Sequence, residues 1–272
     1  MVKLFKKDLI SPERRSSKGN QLKWRDKDVW YKADYAGYEG LSEYLISHLL
    51  RYSDLQPEEY VLYELEEISY GSRVLRGVRS RNFLPDGWQL ITLERLFRNV
   101  HTRSFASDLY GIRDHRNRLR FLVDQVVQMT GLKDFGIYMN RILTIDTLFL
   151  NEDRHLHNVA VLLDENGEFH YCPAFDHGAA LLSDTALDYP MGEDIYQLME
   201  KARPKTFLRE FDEQMEISEE LYGSHLSFSF DKKTVRTLLE QAGIYEKEIT
   251  YRVETIIYEQ MRRYGPYIRK KG

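Results

Sequence analysis

The sequence predicts an α+β protein: antiparallel strands with one helix over residues 1–88, and a mostly helical stretch over residues 89–272, as one large domain or two lobes. Three observations carry this. Short β-patterned runs at 28–33, 60–65 and 72–80 precede Asn82-Phe83-Leu84-Pro85-Asp86-Gly87, the clearest interruption in the chain. From Thr92 onward, apolar residues recur chiefly at helical spacing. Inside that helical half stands one hairpin pattern, Val159-Ala160-Val161-Leu162-Leu163 and Phe169-His170-Tyr171, around Asp164-Glu165-Asn166-Gly167.

Taken in order, residues 1–23 are polar and basic, with Ser11-Pro12 breaking any helix, and residues 16–21 read as a loop between strands. Asp28-Val29-Trp30-Tyr31-Lys32-Ala33 reads as a strand bounded by charge. After a turn at Gly37, the apolar stripe Leu41, Tyr44, Leu45, His48, Leu49 marks a helix, with Glu39 and Glu43 near its start. The alternation in 60–65 and 72–80 fits a half-exposed antiparallel sheet. Leu93, Leu96 and Phe97 begin a helix, and Leu119, Leu122, Val123, Val126, Val127 and Met129 mark another, closed by Gly131. Tyr138, Ile142, Ile145 and Phe149 place one face of a buried helix immediately before Asp153. Residues 179–207 show little periodicity and end in a basic run, Lys201-Ala202-Arg203-Pro204-Lys205. Helices follow at 211–221, 232–241 and 245–263, the last stopping before Gly265-Pro266. No internal repeat or low-complexity tract interrupts them.

At 272 residues, with 42% hydrophobic and 30% charged residues, the chain can bury a sizeable core. No apolar run approaches the roughly 20 residues of a membrane span, and the N-terminus has cations but no apolar signal core. With a single cysteine, Cys172, there is no intrachain disulfide, and a cytoplasmic address is the default expectation. A net charge of −4 gives no general attraction to nucleic acid. His155 and His157 lie beside Asp153, but there are no cysteine ligands, no H-E-x-x-H pair and no third clustered ligand, so zinc chemistry is not expected there.

The chemistry concentrates in Asn151-Glu152-Asp153-Arg154-His155-Leu156-His157-Asn158 and, one hairpin later, Phe175-Asp176-His177-Gly178. An aspartate, four residues and an asparagine is the spacing of a kinase catalytic loop, in which the Asp takes the proton of the attacking hydroxyl and the Asn holds Mg²⁺. A second aspartate next to a glycine suits the bridge from metal to nucleotide phosphates. Carboxylate and amide oxygens match hard Mg²⁺. On this pattern Asp153 is the catalytic residue, and Asn158 and Asp176 are metal ligands that also belong to the catalytic set.

The string Asp153-Arg154-His155-x-x-Asn158 followed by Phe175-Asp176-x-Gly178 resembles the loop shared by HipA-like bacterial serine/threonine kinases and phosphoinositide-type lipid kinases, and its context resembles the HipA-like group most. The resemblance implies a two-lobed protein-kinase-like fold with ATP and Mg²⁺ bound between the lobes. It makes Lys32 the lysine that positions the α- and β-phosphates, paired by Glu43 or Glu39, with Glu43 preferred because Ser42-Glu43-Tyr44 resembles the start of that helix in the group. It makes Ser16-Ser17-Lys18-Gly19 a loop covering the phosphates, without the glycine triad of ordinary protein kinases, and Ser16 or Ser17 a place where the kinase could phosphorylate and silence itself. Backbone groups in 80–84 are expected to meet adenine, residues 179–207 to be an activation segment, Arg154 to neutralise phosphate or brace that segment, and His155 to brace the loop. The acceptor implied is a protein serine or threonine, on another protein or on the chain itself, with an antitoxin-type partner and no membrane or nucleic acid. A lipid or small-molecule hydroxyl kinase uses the same loop, and a degenerate kinase serving as a scaffold is the binding-class alternative.

Overall fold

The five strands of the larger sheet come from the first third of the chain, in a computed structural model that describes residues 1–10, 21–101, 104–206 and 208–268. They are β1 (Val2–Leu4), β2 (Lys23–Asp26), β3 (Val29–Ala33), β4 (Tyr63–Tyr70) and β5 (Arg73–Arg81), in the order β1-β4-β5-β3-β2. Three of the four pairings are antiparallel, as expected; β1 runs parallel to β4, with Val2 opposite Ile68. The polar, basic N-terminal stretch therefore contributes β1 and the start of β2. Such pairing with a distant strand leaves no hairpin signature in the local sequence. Trp24, Tyr31, Ala33, Leu4 and Ile68 form the apolar cluster of this sheet, and Trp24 packs edge-on to Tyr70 at 5.2 Å. Ile10 N–H donates to Lys23 O at 2.9 Å, tying the two ends of the stretch that contains Ser16, Ser17, Lys18 and Gly19. Those four residues lie outside the described ones.

Helix α1 (Glu39–Leu50) packs on β3, β4 and β5 and is buried from Gly40 to Leu50. Gly77 of β5 faces Ala33, and a Cβ there would stand 2.0 Å from Lys32 O. Only glycine lets β5 approach the strand that carries Lys32 this closely.

A second, three-stranded antiparallel sheet has the order β6-β7-β8: β6 (Gln89–Thr92), β7 (Ala160–Leu163) and β8 (Phe169–Tyr171). The hairpin β7–β8 is the one the sequence predicts, with Gly167 at φ 84° and Asp164 Oδ1 accepting from the N–H groups of Asn166 and Glu168. Strand β6 carries no separate signal because its partner lies far along the chain. Thr92 ends β6 and caps α2 (Leu93–Val100) by accepting from Arg95 N–H. Then come α3 (Phe105–Gly111), α4 (His115–Thr130), closed by Gly131 at φ 76°, and α5 (Phe135–Leu148). The stretch read as aperiodic contains one helix, α6 (Ile195–Lys201), capped by Asp194. Helices α7 (Phe211–Tyr222), α8 (Lys232–Gln241) and α9 (Lys247–Arg263) follow as expected. None of the described helices is long and apolar enough to cross a membrane.

The chain divides into two compact units, each assembled from separate stretches. One comprises Met1–Asn82, Asp176–Ala202 and Ser227–Gly272, and the other Phe83–Phe175 and Arg203–Leu226. The second is built around Phe97, Phe105, Leu122, Phe135, Met139 and Leu143.

In the first unit the turn from β3 to α1 is pinned by Asp34, whose carboxylate accepts from Gly40 N–H at 2.6 Å and from the Tyr245 hydroxyl at 2.8 Å. Burial, with Glu39 nearby, raises its pKa from 3.8 to about 7 against the pull of these bonds and of Arg76. A folded-state pKa above the unfolded value means the folded protein holds the proton more tightly, so stability from this group falls as pH rises from about 4 to about 7. Replacing Asp34 with Asn removes that dependence. Melting temperatures across this range should decline more steeply for the wild type than for Asp34→Asn, and parallel curves would contradict the assignment.

Candidate active site

Lys32 stands on β3 with its ammonium 2.5 Å from Glu43 Oε1, 2.8 Å from Asp176 Oδ1 and 5.0 Å from the centre of the Tyr63 ring. Burial opposes the charge on Lys32, but the carboxylates of Asp176 and Glu43 outweigh it and hold the pKa well above the ordinary value. Burial likewise pushes Glu43 upward against the pull of Lys32. Glu39 does not compete for the lysine. Its carboxylate accepts from the N–H groups of Tyr35, Ala36 and Gly37 and so organises the loop before α1. The carboxylate on Lys32 is therefore Glu43, and its Oε2 is buried without a hydrogen-bond partner. Asp176 adopts φ 61°, a left-handed conformation that costs a non-glycine residue free energy and persists only where the surroundings fix it.

The loop that follows α5 is organised from below by a residue the motif did not point to. Asp146, fully buried in α5, accepts a bidentate pair of bonds from Arg154, Nε to Oδ2 at 2.8 Å and Nη2 to Oδ1 at 3.0 Å. Asn151 adds a third, Nδ2 to Oδ1 at 2.6 Å. Arg154 is only 1% exposed, and its Nη1 donates at 2.8 Å both to Asn158 O and to Phe175 O, the residue just before Asp176. It braces the loop rather than facing phosphate. Asp146 had one visible signal: an acid among Ile142, Leu143, Ile145, Leu148 and Phe149, where a buried carboxylate requires a partner.

Asn158 Nδ2 donates to Asp153 O at 2.8 Å, which leaves the amide oxygen as the side chain's remaining polar atom. That oxygen is of the type that suits a hard divalent cation such as Mg²⁺, and so, taken by itself, is the Asp176 carboxylate. His155 Nδ1 accepts from His157 N–H at 3.2 Å, which places the ring proton on Nε2, 3.8 Å from Asp153 Oδ1. A separate group, Asp164, Glu168 and His170, brings its ligand atoms within 4.8 Å of one another, but Asp164 serves there as the turn-former of the hairpin.

In the stretch 80–84, Ser80 lies between Trp30 and Tyr63 in the sheet, and Asn82 N–H donates to Asp28 O at 2.7 Å. Phe83 and Leu84, beyond the last strand residue, pack with Ala160, Leu162, Cys172 and Phe175. In the basic run at 201–205, Lys201 pairs with Glu193 at 3.5 Å and Arg203 with Glu210 at 2.9 Å, both at the surface.

No protein-family model and no curated protein sequence matches the chain. Among solved structures it is similar to the Helicobacter pylori proinflammatory kinase CtkA, at 14% identity with a TM-score of 0.63, over 96% of this chain and 95% of that one. HipA of Shewanella oneidensis MR-1, solved with HipB and operator DNA, aligns at 11% identity and a TM-score of 0.47, over 96% of this chain and 63% of that chain. The likeness to CtkA shows the fold: mixed α+β, of the kind found in that kinase.

Removing Asp146 while leaving Arg154 strands a buried cation, and breaking such a pair costs about 3–5 kcal/mol. Asp146→Ala is therefore expected to lose stability of that order in urea denaturation, with Asp146→Ala/Arg154→Met losing less than the sum of the two single changes. Strict additivity would show that the two side chains do not act together.

Proposed function

We propose that the chain is an ATP- and Mg²⁺-dependent phosphotransferase acting on a hydroxyl, with a protein serine or threonine as acceptor. The observation that carries this is the Lys32 ammonium held between Glu43 and Asp176. A half-buried lysine kept charged, reached by two carboxylates from separate elements, is equipped to meet phosphate oxygens. The Asp153–Asn158 loop, braced by Arg154 and Asp146, supplies the complementary groups.

In this reading residues 1–88 are the lobe that positions the nucleotide and residues 89–272 the lobe that carries the catalytic loop. Asp153 orients the acceptor hydroxyl and takes its proton as the oxygen attacks. Asn158 and Asp176 hold Mg²⁺, which when bound neutralises charge on the transferring phosphoryl group. Lys32, oriented by Glu43, positions the α- and β-phosphates. Ser16, Ser17, Lys18 and Gly19 cover the phosphates, and modification of either serine would bring negative charge to the place where ATP phosphates must enter. The chain itself is thus a second candidate substrate, and an antitoxin-type partner is what the HipA-like resemblance adds.

Incubation with radiolabelled ATP and Mg²⁺, alone and with cell lysate, tests the reading. Label is expected in the chain or in a lysate protein; label confined to the lipid extract would replace the protein acceptor with a lipid one, and failure to bind nucleotide would leave a scaffold. Asp153→Ala is expected to keep the fold and to lower single-turnover transfer by about 10²–10⁴-fold, the usual loss with a general base. An unchanged rate in the folded variant would remove Asp153 from this role.

A further inference from the structure

Arg252 of α9 is 5% exposed, yet the acceptors it meets are neutral. Nη2 donates to Tyr189 O at 3.0 Å, Nη1 to Pro190 O at 3.2 Å, and Nε to the Tyr38 hydroxyl at 3.2 Å. Burial pushes the Tyr38 phenol up to about 12 despite the cation beside it, so the hydroxyl keeps its proton and donates onward to Leu181 O at 2.7 Å. One guanidinium therefore grips the segment after Asp176 at two places, directly at 189–190 and through Tyr38 at 181. A buried cation whose acceptors among the described residues are neutral is costly to desolvate, so its placement here calls for a compensating role.

The backbone between those grips supports a role for them. Leu181 and Leu182 adopt φ 55° and 57°, and Asp176 itself φ 61°. Branched and bulky residues hold this conformation only when the surroundings over-determine it. The fixing bonds come from α1 and the loop before it: Ser42 Oγ to Ala180 O at 3.0 Å, Tyr38 N–H to Ser183 O at 3.2 Å, and Ala186 N–H to Ala36 O at 2.9 Å.

Kinase activation segments are commonly ordered by a phosphate that draws in arginines. Residues 176–190 contain three hydroxyl side chains, Ser183, Thr185 and Tyr189. Ser183 is 1% exposed and donates to Gly178 O at 2.6 Å; half-buried Thr185 donates to Ala36 O at 3.4 Å; Tyr189 is 6% exposed. Each sits where a phosphate would have to break packing or a bond already made.

We infer that Arg252 is a positioning residue that orders residues 176–190, and with them Asp176, by binding their carbonyls, so that this segment needs no phosphorylation to become competent. The inference rests on the phosphotransfer reading for its consequence, though not for the ordering itself. The full chain is compared with Arg252→Gln, Arg252→Lys and the milder Tyr38→Phe by hydrogen exchange and by phosphoryl transfer, before and after phosphatase treatment checked by intact mass. Dephosphorylated wild type should lose no activity. Arg252→Gln should speed exchange in 178–190 by about tenfold or more relative to the β-sheet amides, as expected for losing several hydrogen bonds to a charged group, and lower transfer by a similar factor. Arg252→Lys should recover part of both. If no version transfers phosphate but the variants loosen 178–190, the clamp stands and the phosphotransfer reading falls. Loss of wild-type activity on dephosphorylation of Ser183, Thr185 or Tyr189, or unchanged exchange in 178–190 for both Arg252→Gln and Tyr38→Phe, would overturn the inference.

Discussion

The candidate active site depends on a guanidinium that never reaches solvent. Arg154 is neutralised by Asp146 at its inner edge and uses its outer nitrogen on two carbonyls, those of Asn158 and Phe175. One side chain thus fixes the end of the Asp153–Asn158 loop and the end of the hairpin that follows. Since Asp176 comes directly after Phe175 in the chain, the same cation sets the point from which the second metal-binding candidate departs. Such a pair adds little net stability relative to an apolar replacement, because desolvating both ions offsets most of their attraction. What it contributes is geometry: a planar fork meets acceptors in fixed directions, which an apolar side chain cannot do.

Lys32, Glu43 and Asp176 follow the same logic in the other unit. A lysine alone at this depth would shed its proton, and a lone glutamate would take one up. Together they retain an ammonium held 2.5 Å from one carboxylate and 2.8 Å from another. The strained conformations gather nearby in sequence, with Leu150 at φ 54° before the loop and Asp176 at φ 61° after the hairpin. Each such residue costs about 1–3 kcal/mol, tolerated where the surrounding bonds leave no alternative.

Much of this was legible in the residues because the relevant signals are local. The spacing from Asp153 to Asn158, the turn at Asp164-Glu165-Asn166-Gly167 and the stop at Gly131 are all written within a few positions. What was not legible depends on distant pairing. β1 and β6 are short and have ordinary composition, and each becomes a strand only because β4 or β7 presents an open edge. Glu39 and Glu43 both lie near the start of α1, and only the resemblance around Ser42-Glu43-Tyr44 favoured Glu43; one turn of helix sends Glu43 to Lys32 and leaves Glu39 with the loop amides. Arg154 allowed two readings until its burial showed that it faces inward. Arg252 gave no signal at all, because its acceptors are backbone carbonyls, which carry no side-chain identity.

The central claim is that Lys32, Glu43 and Asp176 form the site at which nucleotide phosphates and their metal are held. Titration calorimetry with a non-hydrolysable ATP analogue, with and without Mg²⁺, tests it most directly on the wild type, Lys32→Met and Asp176→Asn. The account predicts Mg²⁺-dependent binding by the wild type, weakened in Lys32→Met and lost more severely in Asp176→Asn, because that carboxylate meets the metal itself while the lysine meets phosphates the metal already partly neutralises. Wild-type affinity in both variants would place the nucleotide elsewhere and contradict the account.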